Sequence, residues 1–303
     1  SIGTGLFIGS GQNLATGGPG SLMLGFIIVA VCVILTMVSL GELAAVLPVS
    51  GSFCTYSVRF LDPSWGFAMG WNYWLQWLAA FPLEATAVTI VISFWDKDEA
   101  VPRGVWVAIY LVLMMSIHLV GVRGYGEFEF LAALIKILGC IGFIIACVVI
   151  DVGGSPRGEY LGAHSWHHPP PFLNGFKGFC SVFITAAFAY SGTEIVGIAA
   201  AESSNPRKYI PRATKQVVGR VLLFYIISIL MITFIVPSDT KSLLGDSNDP
   251  SSSPFVIALQ QGQINALPQI FNVIILISAL SVGNASVYGG SRTLLSLAEL
   301  GMA

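Results

Sequence analysis

The sequence predicts an all-α, polytopic membrane protein. Three observations carry that reading. The chain of 303 residues is 55% hydrophobic and 10% charged, where a soluble domain carries about 25% charged residues. Its mean hydropathy is +0.79. Its apolar residues gather into stretches near the roughly 20 residues needed to cross a bilayer core, separated by turn-forming linkers. The net charge of −2 speaks against a nucleic-acid partner, which calls for clustered positive charge.

Taken in order, span 1 is partial and covers 2–15. Seven full spans follow at 20–46, 66–95, 104–121, 127–150, 178–201, 215–236 and 268–297. Span 2 ends near Glu42, whose side chain can snorkel to the interface. Span 3 carries Trp65, Trp71 and Trp74 at one end. Trp95 and Trp106 mark the opposite ends of spans 3 and 4, as in an interfacial aromatic belt. Loops are expected at Pro48 to Pro63, Asp96 to Arg103, Gly121 to Gly126, Gly153 to Pro171, Asn205 to Pro211 and Pro237 to Pro254. The chain opens in an apolar segment without a methionine, and no charge precedes Glu42, which leads to the expectation of an internal fragment. Cys32, Cys54, Cys140, Cys147 and Cys180 show no CxxC or metal-ligand spacing and read as free thiols.

Basic residues set orientation. One set of loops holds Arg59, Arg123, Arg207, Lys208, Arg212, Lys215, Arg220 and Arg292. The other holds Lys97, Arg103, Arg157, Lys177 and Lys241. The first set includes the densest cluster and is placed in the cytoplasm. The loops at 151–177 and 237–267 then face outward, and they carry Asp151, Glu159, Asp239, Asp246 and Asp249.

Two glycine motifs interrupt the spans: Ser1-Ile2-Gly3-Thr4-Gly5 and Ala189-Tyr190-Ser191-Gly192-Thr193-Glu194. In hydrocarbon, non-helical backbone survives only where it is buried in protein or lines a cavity. A pair of interrupted spans, one in each half of a chain, points to a substrate site in a transporter built from inverted repeats. Glycine lets backbone N–H groups approach a ligand, and a half-helix starting there aims its positive end at a carboxylate. The opposing break frees carbonyls that suit an ammonium group. Together the breaks match an amino-acid zwitterion.

Three ionisable residues lie deep in spans: Glu84, Lys136 and Glu194. Each is costly in lipid and is a candidate for function. Lys136 sits nine residues after Glu127, about 14 Å into its span. Its amine can carry a proton or stand in for a bound cation; alternatively it is a fixed counter-charge to broken-helix carbonyls. Glu194 can neutralise an ammonium, relay a proton or tie the broken helix to a neighbour. Glu84 follows Pro82 and reads as a supporting partner. His164, His167 and His168 form an outer loop cluster, read as solvated rather than as a zinc site. No metal or other cofactor is expected. An enzyme needs a convergent nucleophile–base or metal cluster, and the one intraspan histidine, His118, has no partner in the pattern.

Several motifs resemble the fungal amino-acid permeases of the amino acid–polyamine–organocation superfamily. They are Ser1-Ile2-Gly3-Thr4-Gly5-Leu6-Phe7 with Gly9-Ser10-Gly11, Leu40-Gly41-Glu42, Arg59-Phe60-Leu61-Asp62-Pro63 and Gly70-Trp71-Asn72-Tyr73. Ser191-Gly192-Thr193-Glu194, Asn205-Pro206-Arg207-Lys208, Ile210-Pro211 and Ser291-Arg292 follow in the same order. The resemblance implies a single transporter domain with the leucine-transporter-like 5+5 inverted-repeat fold, incomplete here. Residues 1–150 would form the first repeat (spans 1 to 5) and 178–303 part of the second (spans 6 to 8). It implies a multi-pass protein of the plasma membrane that moves amino acids by proton symport. The carboxylate would meet Ile2, Gly3, Thr4 and Gly5. The amino group would meet carbonyls around Phe188, Ala189, Tyr190 and Ser191, with Gly192 and Thr193 completing the break and Phe188 as the gating aromatic. Lys136, Glu194 and Glu84 would handle protons. The alternative is an amino-acid sensor that keeps the fold without transporting.

Overall fold

The computed structural model describes every residue except Ser1, Ser50, Lys97, Glu99, 245–252 and Asn265; for Leu244 and Glu202 it describes the backbone alone. Ser1 of the first glycine motif, Lys97, Asp246 and Asp249 therefore lie outside the described residues. Among those described, the regular secondary structure is entirely helical. Six helical runs are long and apolar enough to cross a membrane, and a seventh apolar helix has 17 residues.

Spans 1 and 2 form one helical run. A π-helical turn, Gly5–Gly9, leads into α1, Ser10–Val46. The backbone departs from helical geometry at Gly18, with φ 80° and ψ 170°. Only glycine takes that conformation without a Cβ penalty, and Pro19 then restarts the helix. The groups freed by the kink find partners in the segment before span 6. Gly20 N–H donates to Pro171 O at 2.8 Å, and Leu173 N–H donates to Gly17 O at 2.9 Å. The expected boundary near residue 18 is thus a one-residue kink and not a loop.

The loop expected at Pro48 to Pro63 contains α2, Phe53–Phe60. Span 3 is α3, Pro63–Ile92, with proline at its first position and the Asp62 side chain accepting from Ser64 N–H at 2.8 Å. That N–H holds the Asp62 carboxyl below its ordinary range. Spans 4 and 5 are α4, Arg103–Leu119, and α5, Val122–Asp151. A single turn, α6, His164–His167, follows in the loop that leads to span 6.

Span 6 is α7, Gly175–Tyr190, and resumes after a break as α8, Ile195–Ile198. Span 7 starts earlier than expected. Its first part is α9, Pro206–Arg220, so the segment read as the Asn205 to Pro211 loop is helical. The reason is a good N-terminus: Asn205 accepts from Lys208 N–H at 3.3 Å, and Pro206 sits at the first helical position. The basic cluster therefore rides on helical turns. A π-helical stretch, Val221–Ile226, links α9 to α10, Ile227–Ile235. The loop before span 8 contains α11, Pro254–Gln261, and span 8 is α12, Ala266–Glu299.

The most extensive helix pairs are α3 with α12 and α1 with α7. The second pair contributes Leu14, Leu22, Phe26, Val182 and Tyr190 to the main apolar core. Large apolar side chains such as Leu35, Leu138 and Ile184 stay exposed on the outside. Water would penalise such a surface, and a lipid-facing one requires it.

Candidate functional site

At the first glycine motif, read from the sequence as the first break, Ile2 and Gly3 are non-helical and buried and the helix starts after them. The N–H groups of Leu6 and Phe7 both donate to Gly3 O, at 3.2 and 3.3 Å, which starts the helix. Space is tight on two sides. A Cβ at Gly3 would lie 2.6 Å from Val282 Cγ2 on α12. A Cβ at Gly5 would lie 2.7 Å from Phe188 Cδ1 and 2.9 Å from Ala189 Cα on α7. Glycine is required at position 5 because backbone, which cannot rotate away, occupies the space. Between the two glycines, the Thr4 hydroxyl donates to Glu84 Oε1 of α3 at 2.7 Å.

The second break follows Tyr190. Ser191 is extended and Gly192 has φ 84°, so the i→i−4 ladder stops. The carbonyls this frees are already engaged. Phe188 O accepts from Ser191 N–H at 3.1 Å, Ala189 O from the Tyr225 hydroxyl at 3.0 Å, and Tyr190 O from the Thr193 hydroxyl at 3.0 Å. Glu194 folds back over the turn. Its Oε1 accepts from Gly192 N–H at 3.2 Å and from the Tyr73 hydroxyl of α3 at 3.1 Å. The π-helical stretch in span 7 presents Tyr225, whose ring stacks on Tyr190 at 4.5 Å.

Beside this break lies a cavity of about 430 Å³, lined by Thr36, Tyr73, Gln76, Tyr190, Ser191 and Glu194 among others. The residues of the first break do not line it. On the side of the bundle that carries α11, the Ser253 hydroxyl donates to Phe7 O at 2.7 Å. Phe7 also packs edge-on against Phe255 at 4.9 Å and Phe271 at 5.5 Å. That end of the first break is closed by packed rings.

Lys136 is buried in α5. Its Nζ donates to Ser281 Oγ of α12 at 2.6 Å and lies 3.4 Å from Glu129 Oε1. Ser281 Oγ in turn contacts both Glu129 oxygens, at 2.8 and 2.6 Å. The amine thus sits in a three-membered polar group that joins span 5 to span 8.

Residues 1–303 match the sequence profile of the family described as amino acid permease. The chain is 50% identical over 300 residues to the general amino-acid permease GAP2 of Candida albicans, an alignment that covers 98% of this chain and 51% of that protein. It is 47% identical over 305 residues to the general amino-acid permease GAP1 of Saccharomyces cerevisiae, covering 99% and 50%. It is 48% identical over 309 residues to the amino-acid permease inda1 of Hypocrea atroviridis, covering 100% and 54%.

The chain belongs to the amino acid permease family. It spans about half the length of the curated relatives it matches. As in any polytopic member of such a family, its long apolar runs make it an integral, multi-pass membrane protein.

Within this permease fold, Ile2 to Gly5 and Phe188 to Thr193 adjoin, with Gly5 in contact with Phe188 and Ala189. Glu84, read from the sequence as a supporting partner, bonds directly to the first break. Lys136 was open to a reading as counter-charge to broken-helix carbonyls. Its described hydrogen bonds go instead to Ser281 and Glu129, because Glu129 lies two turns earlier on the same face of α5. Sequence reading missed Glu129, Ser281, Tyr73 and Tyr225. The seven-residue spacing of Glu129 and Lys136 was a usable signal for the first. The other three are hydroxyl residues on apolar helices, and no local pattern marks their partners.

Proposed function

We propose that the complete protein is a secondary transporter that moves amino acids across the fungal plasma membrane by proton symport. The observation that carries this reading is the contact between the helix start at Gly3 to Gly5 and the helix end before the turn at Ser191 and Gly192, the first of them hydrogen-bonded to the buried carboxyl Glu84. The substrate carboxylate meets the N–H groups of Gly3, Thr4 and Gly5 at the head of a helix. The substrate ammonium meets carbonyls of Phe188 to Ser191, which keep a second lone pair beside the hydrogen bonds they already accept. Phe188 is the aromatic that must move, because its ring now touches Gly5. Substrate entry therefore separates the two breaks, and the closed rings at Phe7 and the cavity at Glu194 mark opposite ends of that movement.

Proton coupling rests on Glu84, Glu194 and Lys136. A carboxyl at this depth is costly when ionised and unpaired, so occupancy of the neighbouring site and protonation influence each other. The three are arranged differently. Glu84 touches the substrate-facing Thr4, Glu194 braces the second break, and Lys136 joins spans 5 and 8. The repeats at 1–150 and 178–303 give the two breaks their matching positions.

The test is radiolabelled amino-acid uptake by the complete permease in a host stripped of its own permeases, with and without a protonophore. Concentrative uptake that competing amino acids block and the protonophore abolishes is expected. Specific binding without accumulation would instead identify a sensor.

A further inference from the structure

Glu84 has one satisfied oxygen and one unsatisfied oxygen. Oε1 accepts from Thr4, whereas Oε2 is buried without a hydrogen-bond partner among the described residues. A second orphan lies on the neighbouring helix. Tyr110 of α4 is 1% exposed, and its hydroxyl is likewise buried and unpartnered. Its ring packs on α3 against Phe81, at 5.3 Å between centroids and nearly one turn before Glu84, and shares a buried cluster with Ala85, the residue after Glu84. The hydroxyl end reaches α12, where the space beside Gly283 receives it: a Cβ at position 283 would collide with Tyr110 Oη and stand 2.9 Å from Cζ. Two unpaired polar atoms in one apolar layer are costly separately and stable together.

We propose that Tyr110 is a positioning residue of the proton site, sharing a hydrogen with Glu84 Oε2 through one bound water, and that Gly283 is glycine to admit the phenol. The inference rests on the reading of Glu84 as a coupling group. The chemistry lies in what surrounds the carboxyl. Thr4 on span 1 and Tyr110 on span 4 are both hydroxyls. A hydroxyl donates to a carboxylate and, after rotation about its C–O bond, accepts from a carboxylic acid. Such a shell serves both protonation states with no heavy atom moving, whereas a bonded guanidinium would hold the ionised state alone. The field of Lys136 on span 5, itself held by Glu129 and Ser281, also reaches Glu84. Span 8 contributes Ser281, beside Lys136, and Gly283, beside Tyr110, neither of which titrates.

A hydrogen bond to the ionised carboxylate is roughly twice as strong as one to the neutral acid. Loss of the phenol hydroxyl therefore favours the protonated form at higher pH. In the complete permease, Tyr110→Phe is expected to move the pH of half-maximal uptake upward by about one unit, with the amino-acid KM at acidic pH unchanged within twofold. Gly283→Ala is expected to move the midpoint the same way, and the double variant to add little to Tyr110→Phe. A second readout, independent of transport, is the infrared carboxylic C=O band of the purified protein, identified by its loss in Glu84→Gln. That band is expected to shift in Tyr110→Phe. A wild-type pH midpoint and an unshifted band in Tyr110→Phe would overturn the inference while leaving the role of Glu84 standing. If Glu84→Gln itself keeps pH-driven accumulation, the underlying reading fails instead. A loss of surface expression with no change in midpoint or band marks Tyr110 as packing only and also overturns the proposal.

Discussion

Thr4, at the first break, donates its hydroxyl hydrogen to Glu84, 80 residues along the chain; Thr193, at the second, donates its own to Tyr190, three residues back. The contrast holds for the rest of each region. Around the first break, Gly3 faces Val282, Gly5 faces Phe188, and the nearby amine of Lys136 reaches Ser281, 145 residues away. Around the second, Gly192 N–H, Thr193 and Glu194 satisfy one another within four residues, with Tyr73 and Tyr225 as outside supports. One break is held by the tertiary fold and the other mostly by its own turn. A locally closed turn keeps its shape when helices around it move. A break held from a distance changes shape whenever its partners move, which under the proposed coupling suits the half of the site that would respond to a proton on Glu84.

The largest expected effect is at Gly5. The Cβ of Gly5→Val would meet the Ala189 backbone as well as the Phe188 ring, and overpacking of a closed core costs about 1–3 kcal/mol. Because the strain falls on the contact between the two breaks, uptake should disappear while protein still reaches the surface. Surface biotinylation alongside uptake checks this, and normal uptake would show that the breaks need not touch.

An intermediate effect is expected at Lys136. Its side chain is 4% exposed and that of Glu129 is 27%. Removing one partner of a buried pair costs about 3–5 kcal/mol, and the partial exposure of Glu129 places this pair at the low end. Lys136→Ala should lower thermal stability and abolish accumulation while substrate binding declines less. Restoring charge balance with Glu129→Gln should recover stability and leave accumulation absent. If the double variant also accumulates amino acids, Lys136 braces the fold and takes no part in coupling, and the contrast between the two regions loses its functional half.

The smallest effect is expected at Thr193. Thr193→Ala removes one local hydrogen bond, worth about 0.5–1.5 kcal/mol. The turn keeps Gly192 at φ 84° and the bond from Gly192 N–H to Glu194. A modest fall in melting temperature with retained uptake is the expected outcome. A loss as complete as that of Gly5→Val would mean that the second break is no more self-sufficient than the first.

The difference between the regions also explains what could be read in advance. Both glycine motifs were visible because each breaks a run of apolar residues, a signal that lies within a few positions. The turn at Ser191 to Glu194 draws most of its partners from the motif itself. The helical start at Asn205 and Pro206 is hidden because two prolines and a basic, polar composition resemble loop chemistry, while the Asn205 cap and Pro206 at the first position start a helix. The merging of spans 1 and 2 was not legible, because the groups freed at Gly18 are satisfied by Pro171 and Leu173, about 150 residues on.

The sequence by itself determined the membrane class, the order of the apolar segments, the break at Ser191 and Gly192 and the family resemblance. Each is a property of composition or of neighbours along the chain, where hydrophobic transfer and backbone hydrogen bonding act residue by residue. The tertiary structure alone decided the pairing of Glu84 with Thr4, of Lys136 with Ser281, of Tyr73 with Glu194, and of the Tyr110 hydroxyl with the space beside Gly283. Those pairings depend on which helix faces meet. In a chain with apolar residues all around its helices, the pattern along the sequence does not say which face turns inward; close packing among the helices does.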